Sequence, residues 1–96
     1  MGREFSYSFY VTRRVEKGCG IYLDKNGNIV SVSERMNVYK GGDLRKNQCR
    51  TQNKGDKDFE SLVTRCLRMI FGHVDASDLI EALNQEMREK YFEYLP

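Results

Sequence analysis

The chain has 96 residues, of which 40% are hydrophobic and 31% are charged, and its formal net charge is +2. This composition predicts one folded domain with a single hydrophobic core and excludes an intrinsically disordered chain. The longest run of bulky apolar residues, 69–71, is too short for a transmembrane helix, and the first residues lack the apolar segment of a secretion signal. We therefore expect a cytoplasmic protein with no membrane contact.

The N-terminal segment alternates apolar and polar side chains. Phe5, Tyr7 and Phe9 fall on one side of an extended chain, whereas serines and Tyr10 fall on the other. A period of two residues is typical of a half-buried strand. We predict a first strand over about residues 4–14.

A β-hairpin follows this strand. Asn26 and Gly27 are the residues that a two-residue type I′ turn prefers, because both central positions of that turn need positive φ. This turn would place Leu23 opposite Val30 and give the hairpin one apolar face. The three strands then form an antiparallel meander. The hairpin strands are predicted over about residues 19–25 and 28–36.

Residues 40–57 have a different composition. They contain six basic and two acidic residues, two adjacent glycines, and only Leu44 and Cys49 for burial. This pattern predicts a loop. A loop of this length is either a mobile linker or a functional element.

Two helices are predicted after the loop. Apolar residues recur at helical spacing from Phe59 to Ile70, and Gly72 ends this helix. Asp75 can cap a second helix, whose apolar stripe runs to Tyr94. The predicted helices span about residues 58–71 and 76–95.

Together these elements predict a single α+β domain over residues 1–96. Its sheet is a three-stranded antiparallel meander, followed by a long basic loop and by two C-terminal helices packed on one sheet face. A lone small sheet needs such a cover, because its apolar face is not stable in water.

The second predicted helix would be about 30 Å long at 1.5 Å per residue. That length exceeds the width of so small a domain, so we expect its aromatic end to extend past the sheet. A second copy of the chain is the simplest cover for such an end, and we predict a homodimer. The candidate contact residues are Tyr91, Phe92, Tyr94 and Leu95.

The cysteines and the single histidine give no metal site or cofactor site. Cys19, Cys49 and Cys66 are an odd number, which favours reduced thiols in a cytosolic protein. They lie 30 and 17 residues apart, so no close pair anchors a zinc site with His73. No nucleophile or acid stands at a recognisable spacing from His73, and we predict no catalytic residue.

The polar face of the predicted sheet is a candidate binding surface. Tyr10 and Tyr22 lie on that face, with Arg14 and Arg35 beside them. Aromatic rings near guanidinium groups can stack nucleobases, and loop cations can contact phosphates. Tyrosines are also common on antiparallel sheets for cross-strand packing alone. The candidate loop residues are Lys40, Arg45, Lys46, Arg50 and Lys54.

Charge is unevenly distributed along the chain. The formal charge is +2 over residues 1–39, +4 over residues 40–57 and −4 over residues 58–96. We expect a small non-enzymatic regulatory or inhibitory binding protein that acts through protein–protein contacts and self-associates. The alternative is a single-stranded nucleic-acid-binding module, which requires the basic loop to lie beside the two tyrosines. A small enzyme using the histidine, or an oligomer that sequesters a small ligand, is less favoured.

Overall fold

The computed structural model describes residues 2–96. The fold is α+β with an antiparallel sheet and helices after it, as predicted, but the sheet has four strands in the order β1-β2-β3-β4 instead of three. None of the helices in residues 2–96 is both long and apolar enough to cross a membrane. The elements are β1 (Arg3–Thr12), β2 (Val15–Leu23), β3 (Ile29–Lys40), β4 (Asp43–Asn53), α1 (Phe59–His73), α2 (Ser77–Ala82), α3 (Gln85–Lys90) and a 3₁₀ turn (Phe92–Tyr94).

The prediction of a basic loop over residues 40–57 is wrong, because most of this segment is strand β4. Gly41 and Gly42 have φ values of 60° and 85°, so the chain reverses tightly there and β4 pairs with β3. Nearly every residue of β4 is exposed. The strand therefore lacks the apolar alternation on which strand prediction depends, and its backbone hydrogen bonds to β3 hold it in place.

The turn between β2 and β3 is where the sequence predicts it but differs in type. Gly27 has a φ of 82°, whereas Asn26 does not have the positive φ that a type I′ turn requires. The Asp24 side chain organises the turn instead. Its Oδ1 accepts hydrogen bonds from the backbone N–H groups of Asn26 at 2.9 Å and of Asn28 at 3.0 Å.

This change of turn type alters the strand register next to it. Ile21 pairs with Val32 as predicted, but a register shift before the turn pairs Leu23 with Ile29. Ile29 is consequently buried at 2% exposure, whereas Val30, the predicted partner of Leu23, is only half-buried.

Buried side chains of β2, β3 and α1 belong to one hydrophobic core. Cys19 of β2 and Cys66 of α1 form a disulfide, with their Cα atoms 5.6 Å apart. The expectation of reduced thiols is therefore wrong for this pair, and the remaining cysteine, Cys49, is free and exposed. Because disulfides are uncommon in the cytosol, a cytoplasmic location stays a prediction. The largest fully buried side chains are Ile21, Val32, Leu62, Val63, Cys66, Leu67 and Leu79.

Strand pairing and the alternation of side chains divide the sheet into two faces. We call the face that carries Cys19 and Ile21 the core face, and the opposite one the outer face. Core-face positions are Phe5, Tyr7 and Phe9 in β1, Lys17, Cys19 and Ile21 in β2, Val32, Glu34, Met36 and Val38 in β3, and Lys46, Gln48, Arg50 and Gln52 in β4. Outer-face positions are Ser6, Ser8 and Tyr10 in β1, Glu16, Gly18, Gly20 and Tyr22 in β2, Ser31, Ser33, Arg35 and Asn37 in β3, and Asn47, Cys49 and Thr51 in β4.

Helix α1 contacts both edge strands of the sheet. Next to its N-terminus, Asp58 accepts a hydrogen bond from Arg50 of β4 at 2.6 Å. At its C-terminus, the His73 ring stacks on Phe9 of β1 with the ring centroids 4.6 Å apart. The strands continue beyond these contacts, and the molecule measures 46 Å along its longest axis against 27 and 24 Å across. We call the continuing part, residues 10–17 and 36–46, the open end of the sheet.

The long helix predicted over residues 76–95 is replaced by α2, α3 and the 3₁₀ turn. Leu83 is extended, with ψ 138°, and the Asn84 side chain accepts a hydrogen bond from the Met87 N–H at 2.9 Å, which caps α3. The backbone N–H of Asn84 also donates to the Gly27 carbonyl at 3.1 Å. A tertiary contact with the β2–β3 turn therefore fixes the break between the helices.

The aromatic C-terminus does not extend past the domain as expected. Tyr91 is a core residue at 3% exposure, and its burial raises the pKa of its phenol. Tyr94 and Leu95 are partly buried against the core. Of the four predicted dimer-contact residues, Phe92 alone is largely exposed, at 68%.

Reduction of the Cys19–Cys66 disulfide should destabilise the fold. The two residues are 47 positions apart, and a cross-link closing a loop of that size stabilises a protein by about 4 kcal/mol in the chain-entropy model. We expect urea unfolding with dithiothreitol to give a free energy of unfolding lower by about 2–4 kcal/mol. The Cys49→Ser variant should respond to dithiothreitol as the wild type does, and an unchanged urea midpoint on reduction would contradict the cross-link.

Candidate protein-interaction surfaces

The two tyrosines proposed for nucleobase stacking lie on the outer face but in different surroundings. Tyr10 pairs with Glu16 at the open end, and its ring centroid is 6.2 Å from that of Tyr39. Tyr22 pairs with Ser31 at the other end of the sheet. It lines a hollow of about 550 Å³ together with polar side chains of β3 and β4.

Arg35 lies between the two tyrosines on the outer face. It pairs with Gly18 of β2, where the missing side chain leaves a depression in the sheet. Arg35 lines both the 550 Å³ hollow and a second one of about 250 Å³. Within residues 2–96 its guanidinium has no ion-pair partner, so it is available to a hydrogen-bond acceptor from outside the chain.

The predicted loop cations are not gathered beside the tyrosines. Lys46 pairs with Val38 and Arg50 pairs with Glu34, so both stand on the core face. The outer-face positions of β4 carry uncharged side chains instead. The cations and the tyrosines lie on opposite faces because successive side chains of a strand point to opposite sides of the sheet. A segment predicted to be a loop carries no such information about faces.

The other predicted cations are dispersed around the sheet. Lys40 ends β3 and pairs with Asp43, whose carboxylate is 3.9 Å from Arg45. Lys54 follows β4, and Arg14 lies in the β1–β2 turn, where its carbonyl accepts a hydrogen bond from the Tyr39 N–H at 2.7 Å. Lys40, Arg45 and Arg14 therefore belong to the open end, whereas Lys54 does not.

The outer face also carries two acidic side chains. Glu4, which pairs with Tyr22 across β1 and β2, is the main cause of a raised pKa at Tyr22. Glu16 accepts hydrogen bonds from Asn37 at 3.1 Å and from the Tyr39 hydroxyl at 3.3 Å. The face is consequently a hydrogen-bonding surface of mixed charge.

His73 has a structural environment that the sequence did not reveal. Its ring stacks on Phe9 and, at 5.9 Å between centroids, on Tyr7. Its Nδ1 lies 2.7 Å from the Met69 carbonyl oxygen. In the part of the chain that the structure describes, no group of three or more His, Cys, Asp or Glu side chains could hold a metal ion.

The open end combines exposed apolar side chains with positive charge. Tyr10, Val11 and Leu44 are 61%, 51% and 51% exposed. The residues of the open end include six basic and two acidic side chains, a formal charge of +4. Apolar patches with a charged rim are typical of protein-binding surfaces.

A groove of about 700 Å³ borders the open end on the core face. Lys17, Met36 and Gln48 line it together with the Arg65–Glu34 ion pair, whose atoms are 3.5 Å apart. Lys17 has no ion-pair partner within residues 2–96. An acidic side chain of a partner could therefore pair with Lys17 here.

The position of Glu4 opposite Tyr22 predicts a specific titration. Glu4→Gln should lower the pKa of Tyr22, because it removes the negative charge that disfavours the phenolate. Glu16→Gln is the matched control, since Glu16 bonds to Tyr39 instead, and it should leave Tyr22 unchanged. Tyrosine ring NMR signals followed against pH measure both values. A Tyr22 pKa that is the same in Glu4→Gln and in the wild type would contradict this effect of Glu4.

Comparisons with protein-family models, with curated protein sequences and with solved structures found no significant match for this chain.

Proposed function

We propose that the protein is a non-enzymatic regulatory or inhibitory binding protein, and that it binds an acidic surface of another protein at the open end of its sheet. The observation that carries this proposal is the combination of exposed Tyr10, Val11 and Leu44 with a formal charge of +4. Apolar contacts provide most of the affinity of protein complexes, and charges of opposite sign select the partner and speed its association.

The groove beside the open end supports an acidic partner in particular. Lys17 lies at the groove, and Lys46 stands on the same core face. Both side chains belong to exposed residues, so they can pair with carboxylates without first losing an internal partner. Residues 58–96 carry a net charge of −4. An acidic partner is therefore repelled by the helical half of the molecule and attracted to the open end.

Charge reversal at the open end tests the proposal. We expect Lys17→Glu/Lys46→Glu to weaken a purified partner complex at least tenfold in Kd, because two attractive pairs become repulsive. The partner is isolated by affinity capture from lysate of the source cells, and its binding to the purified chain is measured by isothermal titration calorimetry at low and physiological salt.

The matched control is Lys25→Glu/Lys54→Glu. It reverses the same number of exposed charges around the β2–β3 turn, away from the open end, and it should bind the partner as the wild type does. Equal affinity for both double variants, or a larger loss in the control, would contradict a binding site at the open end.

A second candidate function is binding of single-stranded nucleic acid. Tyr10 and Tyr39 have ring centroids 6.2 Å apart, and Arg14 lies in the neighbouring turn. Stacked bases and phosphates could use this arrangement. The acidic Glu16, hydrogen-bonded to Tyr39 at 3.3 Å, disfavours it.

Fluorescence anisotropy with mixed-sequence single-stranded DNA and RNA separates the two candidates. We expect weak binding at low salt that disappears at physiological salt, since scattered surface cations give only non-specific attraction. Micromolar binding at physiological salt that is lost in Tyr10→Ala/Tyr39→Ala would favour nucleic-acid binding over the protein partner.

A further inference from the structure

The two edge strands of the sheet differ in how they are protected. β1 and β4 are both edges, so each presents unpaired backbone N–H and C=O groups. β4 carries Asp43, Arg45, Lys46 and Arg50, and edge charges of this kind discourage pairing with another chain. β1 has no charged residue, proline or glycine over residues 5–12, and its register irregularity, between Tyr10 and Thr12, lies at the end of the strand.

We propose that a second copy of this chain binds the β1 edge in an antiparallel orientation, so that two four-stranded sheets join into one of eight strands. Main-chain hydrogen bonds hold the two β1 strands together, which is the usual mode of strand addition. This contact uses the sheet edge beside the helices. It takes up Tyr10 and Val11 of the open end and leaves Lys17, Leu44 and Lys46 for the partner proposed above.

The sequence of β1 is complementary to itself when Ser8 lies on the two-fold axis. With Ser8 on the two-fold axis, Tyr7 lies opposite Phe9 of the second copy, and Phe5 lies opposite Val11 of that copy. The uncharged residues 5–11 are then paired entirely with one another. Aromatic and β-branched pairs of this kind stabilise antiparallel strands.

The alternation of β1 also determines which registers are possible. Phe5, Tyr7 and Phe9 occupy the core face, and serines occupy the outer face. A register shift of one residue would set core-face side chains opposite outer-face side chains, so that serines lie opposite aromatic rings. The Ser8-centred register instead extends the core-face aromatic row across the junction of the two copies.

A groove beside β1 has room for side chains of the second copy. Its volume is about 310 Å³, and its lining combines apolar residues such as Phe5, Val74 and Leu79 with Asp75 and Asp78. Val74 is 37% exposed and Val11 is 51% exposed. In the proposed register, Val11 of the second copy lies opposite Phe5, next to this groove, and the contact occurs twice by symmetry.

The assembly stops at two copies. In a two-fold dimer both β1 edges are used, and the edges that remain are the charged β4 strands. An isologous contact of this kind closes on itself, whereas two open edges would allow a fibre.

Size-exclusion chromatography with light scattering over the micromolar range tests the dimer. We expect the wild type to approach twice the 11.3 kDa of one chain as its concentration rises. Ser8→Lys should remain monomeric over that range, because the two introduced ammonium groups meet at the two-fold axis. The matched control is Thr51→Lys, which adds the same charge on the same face of the other edge strand and should still dimerise.

Disulfide trapping tests the register in a second, independent way. In a Cys49→Ser background, Ser8→Cys should give a covalent dimer under mild oxidation, and Thr51→Cys should not. A wild type that stays monomeric over the micromolar range, or a dimer that Thr51→Lys disrupts and Ser8→Lys leaves intact, would overturn the proposal. Loss of partner binding at the open end with the dimer intact would contradict only the proposed function.

Discussion

The core shared by β2, β3 and α1 is the constraint on which the rest of the structure depends. The Cys19–Cys66 disulfide joins α1 to the centre of the sheet, and α1 then reaches Arg50 on one edge strand and Phe9 on the other. A helix of 15 residues is about 22 Å long at 1.5 Å per residue. The strands continue past it, so the open end has no helix to cover it.

The β2–β3 turn positions the helical segment that follows α1. Asp24 fixes the turn by accepting backbone hydrogen bonds, and the turn offers the Gly27 carbonyl and the Asn28 side chain to Asn84. These bonds break the C-terminal segment into short helices and let Tyr91 enter the core. The aromatic end that the sequence assigned to a dimer contact is therefore largely used inside the domain. Exposed apolar surface remains instead near β1 and at the open end.

Sequence patterns predicted the elements whose side chains have one buried face. The α+β class, the hairpin at Gly27 and the helix from Phe59 follow from period-two and helical spacing. β4 was missed because its side chains are exposed and its pairing is carried by the backbone. The break at Asn84 was missed because it depends on residues more than fifty positions away. The disulfide was missed for a similar reason, since nothing local relates Cys19 to Cys66.

The sequence predicted the part of the candidate site that lies on alternating strands. Alternation places Tyr10, Tyr22 and Arg35 on one face, as expected from sequence. A segment interpreted as a loop has no alternation, so its cations could not be assigned to a face. Once the segment is a strand, Lys46 and Arg50 stand on the core face. The two surfaces that remain for partners are the open end and the unprotected β1 edge.

Amide hydrogen exchange at low and high protein concentration tests the difference between the two edges most directly. Every second amide of an edge strand points away from its neighbour and exchanges quickly unless another chain pairs with it. We expect those amides in Phe5–Val11 to become protected as concentration rises, while the outward amides of β4 continue to exchange rapidly. Equal, concentration-independent exchange on both edges, or protection confined to β4, would contradict the account.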